Sequence, residues 1–413
     1  MKKIILLVTI CNLIAAGIGF LTNIILARYF SYEIYGRISL LLSLNAIILT
    51  FLQFGFQNSM VIFHNKNYAM ENTDIRDFSK LFFVNRQYGK YLLWIGVPVI
   101  ILFLFITNHM YRFSIFEIFF VGFTPLLLGI YNYCTTFYQA QGVWLKYNVL
   151  HVFYNFFKAL MLLCVFLIIH FVIKRSFIYD DYVFTFISYA VILFFIGIFI
   201  SRKYLRIGKH NINWSKLLNK TLIPIGLTNF LIVLIMRIDN VLIEKVLGMK
   251  SVAIYSIANT FAFFFPLFTS SIMKVLMKEM SKNSVLYLKK ILFYQKKYFI
   301  YAIFAFIVVY TVSPHLISFL FGEKYIQSIT IFQVLSFVYI GGVFFTPMES
   351  YFYTEHAKKI FILRILQLLL VVILGVVFMK LFELPGFAVA VVCSRLVAWI
   401  YLYYTSKRII GTL

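Results

Sequence analysis

Acidic side chains are scarce in this chain: 14 Asp and Glu stand against 38 Lys and Arg in 413 residues. Charged residues of all kinds make up 13%, where soluble globular domains carry roughly 25%. That shortfall excludes an ordinary water-soluble surface. Cysteine is scarce too. Cys11, Cys134, Cys164 and Cys393 all fall inside apolar stretches, so neither disulfides nor a metal site is expected. The seven histidines are scattered without ligand spacing. No nucleophile triad, metal cluster or phosphate-binding loop is found, and no cofactor is expected. Long polar segments are also missing. The largest loop, Phe63 to Lys90, is too short to fold as a separate domain, so little of the chain would stand outside a membrane to do chemistry.

What fills the chain is apolar. Hydrophobic residues make up 62%, arranged in about twelve long runs near 4–27, 38–63, 91–107, 115–137, 148–170, 182–201, 221–244, 251–275, 298–320, 327–352, 361–380 and 387–405. A run of about 20 apolar residues crosses a bilayer as a helix, because a helix satisfies its own backbone hydrogen bonds in lipid. The expected fold class is therefore all-α integral membrane. The opening Met-Lys-Lys and apolar run resemble a signal peptide, but the run continues to Leu26 with no small-residue cleavage site. It is read as a retained first helix. The net charge of +24 would suggest nucleic acid in a soluble protein. Here the cations sit in short loops, as topology signals and contacts to anionic membrane lipid, so no nucleic acid is expected. Assigning alternate loops to the two sides places 26 Lys and Arg on one side and nine on the other. The positive-inside rule then puts both termini in the cytoplasm of a bacterial inner membrane protein.

The longest basic connection divides the chain into an N-terminal lobe (1–201), a cytoplasmic linker (202–220) and a C-terminal lobe (221–413). The halves align. Residues 28–39 match 245–256 without gaps at an offset of 217 (245 − 28). Pro98 and Pro314 differ by 216, and Thr124-Pro125 and Thr346-Pro347 by 222. Together these argue for an internal repeat. Both halves start and end on the same side, so the repeats are parallel and substrate is expected between them near the midplane.

Polar residues form stripes at helical spacing. Asn12, Ala15, Ala16, Gly19 and Asn23 line the first span, and Ser39, Ser43, Ala46, Thr50, Gln53 and Gln57 the second. Gly226, Asn229, Val233, Arg237, Asn240 and Glu244 line the seventh. Such faces turn away from lipid, either to pack against other helices or to line a water-filled cavity. Packing is favoured for the small residues, and a cavity for Gln53, Gln57, Asn229 and Arg237. Lys158, Arg237, Asp239, Glu349 and Arg395 lie within spans, where a charge costs about 2.5–3.5 kcal/mol on insertion scales. Lys158, Arg237 and Arg395 are read as substrate-binding cations, with Gln53, Gln57 and Asn229 as polar partners. Asp239 and Glu349 are the candidate ion-coupling acids. Arg28 and Arg37, near the outer surface, are candidate gate residues. For the embedded charges, structural ion pairs and snorkelling are the alternatives. A mostly cationic interior attracts an anionic substrate.

These residues resemble a known family. Asn23-Ile-Ile-Leu-Ala-Arg28-Tyr-Phe-Ser-Tyr-Glu-Ile-Tyr35-Gly36-Arg-Ile-Ser39 is similar to the opening of Wzx-type polysaccharide flippases, as is Gln53-Phe-Gly55-Phe-Gln-Asn-Ser. Arg237-Ile-Asp239-Asn-Val-Leu-Ile, Ala253-Ile-Tyr-Ser-Ile-Ala258 and Leu320-Phe-Gly322-Glu-Lys-Tyr325 resemble the family's second half. Pro385-Gly386-Phe-Ala388 keeps only part of its Gly-rich turn. The resemblance implies the multidrug/oligosaccharidyl-lipid/polysaccharide exporter (MOP) superfamily: two six-helix lobes with pseudo-twofold symmetry along the membrane normal, around a V-shaped cavity. It implies flipping of a polyprenyl-diphosphate-linked oligosaccharide, an O-antigen or capsule repeat unit, by lobes that rock about the site. A glycan polymerase and chain-length regulator are the implied partners. Drive by H+, Na+ or the membrane potential stays open. A cation-coupled multidrug exporter of the same superfamily, a membrane glycan polymerase or ligase, and a non-transporting lipid-binding scaffold are the competing readings.

Overall fold

The computed structural model describes residues 2–57, 60, 79–141, 143–202, 222–262, 265 and 284–411. The described residues are helical, with no β-strand among them. The order is α1 (Lys2–Tyr29), α2 (Tyr32–Gln53), α3 (Ser79–Tyr91), α4 (Val97–Tyr111), α5 (Ile115–Ala140), α6 (Trp144–Leu167), α7 (Tyr179–Ser201), α8 (Ile223–Leu247), α9 (Met249–Ala262), α10 (Ser284–Phe321), α11 (Gln327–Glu355) and α12 (Ala357–Gly411). Seven helical stretches among them are long and apolar enough to cross a membrane. Short turns punctuate the helices. Gly248 and Gly322 take positive φ after α8 and α10. Ser114 and Glu117 form a reciprocal capping box at the start of α5, which satisfies two amides that the first helical turn leaves without partners.

The helices depart from the expected spans in three places. The run near 38–63 was expected to be one span, but α2 ends at Gln53 and the chain turns at Phe54 (φ 30°) and Gly55 (φ 73°). There the backbone meets the start of α8: a Cβ on Gly55 would lie 2.9 Å from the Gly226 nitrogen. The third span was expected from residue 91, yet helix begins at Ser79 and continues through a π-helical turn at Leu92–Gly96 to Tyr111. Likewise α10 starts at Ser284, ahead of the expected 298. Its 38 residues reach about 57 Å at roughly 1.5 Å per residue, well past a hydrocarbon core of about 30 Å. Hydropathy marks only the lipid-embedded part of such helices, so their polar extensions read as loop. In α12 the break between the last two runs falls at Glu383 (φ 54°), where Gly386 packs on the Phe378 carbonyl group.

The chain forms two compact units. Unit 1 comprises Met1–Gly19 and Leu41–Val233, and unit 2 comprises Phe20–Leu40 and Leu234–Leu413. Helices α1, α2 and α8 therefore contribute to both. Apart from Arg202, the expected linker lies outside the described residues. In unit 1, α5 and α7 pack through aromatic rings, with Phe120 and Phe186 centroids 4.4 Å apart. The tyrosine hydroxyls of this core donate to main-chain carbonyls: Tyr131 to Leu150, Tyr138 to Ile200 and Tyr189 to Tyr154, each at 2.9 Å. Such pairing satisfies the polar tip of a ring whose body is buried.

Unit 2 bears on the internal repeat. Helix α2 begins at Tyr32 and α9 at Met249, an offset of 217 (249 − 32). A Cβ on Gly36 would strike the Met249 carbonyl group and come within 3.4 Å of the Ala253 nitrogen, and Ala253 is the residue aligned with Gly36. Equivalent positions of the two repeats thus meet in one close crossing. The proline matches do not share this geometry. Pro98 lies 13 residues before the end of α4 (111 − 98), and Pro314 seven before the end of α10 (321 − 314). Pro125 is ten residues into α5 (125 − 115), and Pro347 is 20 into α11 (347 − 327). Proline marks a depth in its own helix, and these depths differ.

Candidate functional site

A buried polar network in unit 2 joins α2, α8, α9 and α11. Asp239 lies on α8 and is 4% exposed. A carboxylate buried in this way needs donors, since an unpaired charge in an apolar interior is strongly disfavoured. Asp239 accepts from the Asn240 main-chain N–H at 2.8 Å and from Asn259 Nδ2 at 3.3 Å. The Tyr255 hydroxyl is within hydrogen-bonding reach, and the Arg237 guanidinium acts on the same carboxylate. Asn240 carries the network onward. Its Nδ2 donates to the Ser39 carbonyl and its Oδ1 accepts from the Ser256 hydroxyl, both at 3.3 Å. Ser39 and Ser256 are partners in the repeat (256 − 39 = 217), so Asn240 ties the two equivalent helices together.

Helix α9 can present this face because of its composition. Tyr255, Ser256, Asn259 and Thr260 follow at spacings of three and four, and Ala253, Ala258 and Ala262 are fully buried. Small residues let helix backbones approach closely enough for such short polar side chains to reach across. From α11, the Tyr339 hydroxyl donates to Asn259 Oδ1 at 3.1 Å. The charges of Arg395, Asp239 and Arg237 all act on that hydroxyl. One carboxylate against two guanidinium groups leaves the site net positive. Chemically it can hold an anion while keeping a single group that takes up or releases a proton.

The sequence-derived candidates distribute as follows. Arg237, Asp239 and Arg395 all belong to unit 2, where their charges act on the Tyr339 hydroxyl. Lys158 belongs to unit 1, where its ammonium lies 5.2 Å from the centre of the Phe186 ring. Gln53, Gln57 and Asn229 also belong to unit 1, and the Gln57 Nε2 is buried without a partner among the described residues. Glu349 is held in an ion pair with Arg364 at 2.7 Å, and Arg364 also donates to Gln367 Oε1 at 2.6 Å. The Arg37 charge acts on Glu244. Arg28 caps the end of α10: Nε donates to the Leu320 carbonyl at 2.7 Å and Nη2 to that of Phe319. A cation at a helix C-terminus also opposes the helix dipole. The neighbouring turn returns the contact. Lys324 Nζ donates to the Phe30 carbonyl at 3.0 Å, and the Tyr32 hydroxyl donates to the Lys324 carbonyl. Partial burial holds the Lys324 ammonium pKa below its ordinary value.

Sequence reasoning missed Asn259, Tyr255 and Tyr339. Asn259 continues a small-residue stripe along α9 and was findable by extending the polar-face search to the eighth span. The two tyrosines carry no such signal, being two among 29.

Comparison with known proteins places these observations. A family model described as polysaccharide biosynthesis protein matches residues 1–284. No match is found among curated protein sequences. Among solved structures, the chain resembles an inward-facing multidrug resistance MATE family transporter of the MOP superfamily, with a TM-score of 0.73 and 14% identity over 98% of this chain and 95% of that one. It also resembles the lipid II flippase MurJ in an inward closed conformation, with a TM-score of 0.67 and 15% identity over 97% of this chain and 87% of that one. At these identities the likeness shows the fold alone, an all-helical one. The family model covers well over half of the chain, and the chain belongs to the polysaccharide biosynthesis protein family.

Proposed function

We propose that this protein flips a polyprenyl-diphosphate-linked oligosaccharide from the cytoplasmic to the outer leaflet of a bacterial inner membrane. Alternating access, driven by an ion gradient or the membrane potential, moves the head group while the lipid tail stays in the bilayer. The observation that carries this reading is the pairing of a polysaccharide biosynthesis family match over residues 1–284 with a buried Tyr339–Asn259–Asp239 network on whose Tyr339 hydroxyl the charges of Arg237 and Arg395 act. A diphosphate needs cations, and sugars need amide and hydroxyl partners. In this reading Arg237, Arg395 and Lys158 neutralise the diphosphate, and Gln53, Gln57 and Asn229 meet sugar hydroxyls. Asp239 carries the coupling proton or cation, with Glu349 as a second acid. Arg28 and Arg37 act at the outer gate. Both termini lie in the cytoplasm. The glycan is a repeat unit of O-antigen or capsule type, handed on to a polymerase and chain-length regulator.

The test is complementation of a deletion strain, reading surface glycan while membrane abundance is held equal by immunoblot. Arg237→Ala combined with Lys158→Ala should abolish export. Full export by that double variant would refute the assigned cations. A multidrug exporter is the second reading, favoured by the MATE-like fold. A deletion strain with normal surface glycan and raised drug susceptibility would select it.

A further inference from the structure

Asn259 has an orientation that its neighbours dictate. An ionised carboxylate only accepts hydrogen bonds, so the amide nitrogen, not the oxygen, must face Asp239. Asn259 Nδ2 indeed donates to Asp239 Oδ2 at 3.3 Å. The amide oxygen is then left facing α11, where it accepts from the Tyr339 hydroxyl at 3.1 Å. Asn259 is 7% exposed, so bulk water does not offer an easy substitute for either partner. The amide therefore has one hydrogen-bonding partner on α8 and another on α11.

We propose that Asn259 and Tyr339 are positioning residues that relay the protonation of Asp239 from α8 to α11 through a flip of the Asn259 amide. This deepens the export reading above, in which Asp239 and Arg395 belong to the working site. The balance is simple. Asp239 takes one proton from the aqueous phase and becomes a neutral acid whose O–H donates. It then favours the amide oxygen of Asn259 as its acceptor, and the amide turns by about half a revolution about its last side-chain torsion, which is broad for such groups. Asn259 Nδ2 now faces Tyr339 and donates to the phenol oxygen. One lone pair is then taken, and the phenol proton must point elsewhere. No covalent bond forms or breaks apart from the O–H bond on Asp239.

The formal charge of Arg237, Arg395 and Asp239 together rises by one. Proton loading thus prepares the site for an anion. The charged and titratable groups facing Asp239 are Arg237 on its own helix, Tyr255 on α9 and Tyr339 on α11, with Arg395 of α12 acting through Tyr339.

The test uses pH-difference infrared spectroscopy of the full chain in liposomes, which needs no substrate. In the wild type, the carboxyl signal of Asp239 and a tyrosine ring signal should titrate with one midpoint. Asp239→Asn, which assigns the first signal, should remove both. Tyr339→Phe, which assigns the second, should remove only the tyrosine signal. Asn259→Leu is the deciding variant: the carboxyl signal should persist while the tyrosine signal disappears. Tyr339→Phe keeps the ring and its packing, so it serves if Asn259→Leu fails to fold, paired then with Asn259→Gln, whose displaced amide should shift the tyrosine signal. A tyrosine signal absent from the wild type, or unchanged when residue 259 is altered, overturns the relay. Normal glycan export or its loss leaves these spectra unaffected, so the relay and the flippase reading fail separately.

Discussion

The close crossing of α2 and α9 makes a quantitative test of the repeat geometry. Replacing Gly36 with alanine adds one methyl group against the backbone of α9. The added carbon would lie 3.0 Å from the Met249 carbonyl carbon and 3.4 Å from the Ala253 nitrogen, with the Met249 carbonyl oxygen closer still. These are main-chain atoms of a helix, so they cannot swing aside as a side chain does. The two helices must separate, at a cost in the range of overpacked interiors, about 1–3 kcal/mol. Alanine also improves the helix by about 0.5–1 kcal/mol relative to glycine, which partly masks the effect. Gly17 supplies the control. It lies within α1, and a Cβ there meets nothing within 4 Å. The propensity gain is common to both variants, so their difference isolates the crossing. Gly17→Ala should match or exceed the wild type in thermal denaturation of the full chain in detergent. Gly36→Ala should fall below Gly17→Ala by about 1–3 kcal/mol, or roughly 5- to 150-fold in the folded-to-unfolded ratio. Equal melting of the two variants would refute the backbone contact and, with it, the pairing of equivalent repeat positions.

Other substitutions probe the remaining elements. Glu349→Leu should destabilise by about 3–5 kcal/mol, because it leaves Arg364 as an uncompensated buried charge, while Glu349→Leu with Arg364→Leu should recover most of the loss; equal melting of single and double variants would show that the pair is not coupled. Arg28→Ala should speed proteolysis at the Gly322–Ile326 turn, and Arg28→Lys should not restore protection, since one ammonium cannot reproduce the guanidinium fork that reaches two carbonyls. Full rescue by lysine would contradict that reading of the contact. Asn240→Leu removes the amide that bridges Ser39 and Ser256 and should cost about 1–3 kcal/mol, read in the same melting assay; an unchanged melt would show that the bridge adds nothing.

Much of the candidate site was legible before the structure. Arg237, Asp239 and Arg395 stood out because a charge in a long apolar run is costly and therefore conspicuous. Asn240 stood out through its helical spacing from Arg237. Asn259 and Tyr339 did not, because an amide or a phenol in an apolar helix costs little enough to pass as packing. Lys158 was grouped with the two arginines by its sign and its place within a span, and the structure assigns it to a different compact unit. Glu349 was read as a coupling acid because it is an acid inside a predicted span. Its partner Arg364 lies 15 residues away (364 − 349) on the next helix, and the bond joining them was not visible.

The sequence by itself determined that the chain is a membrane-embedded helical protein with an internal repeat. Hydropathy and helical periodicity are properties of residues near one another along the chain, and a repeat offset compares two stretches of it, so all three survive without coordinates. Only the tertiary structure decided that α2 ends at Phe54–Gly55, that the third and ninth expected spans begin well outside the apolar run, and that Gly36 meets α9. Only it decided which polar residues share one network. Those outcomes depend on which helix faces approach, and approach is set by packing between segments as far apart as Ser39 and Asn240, whose bond no local pattern encodes.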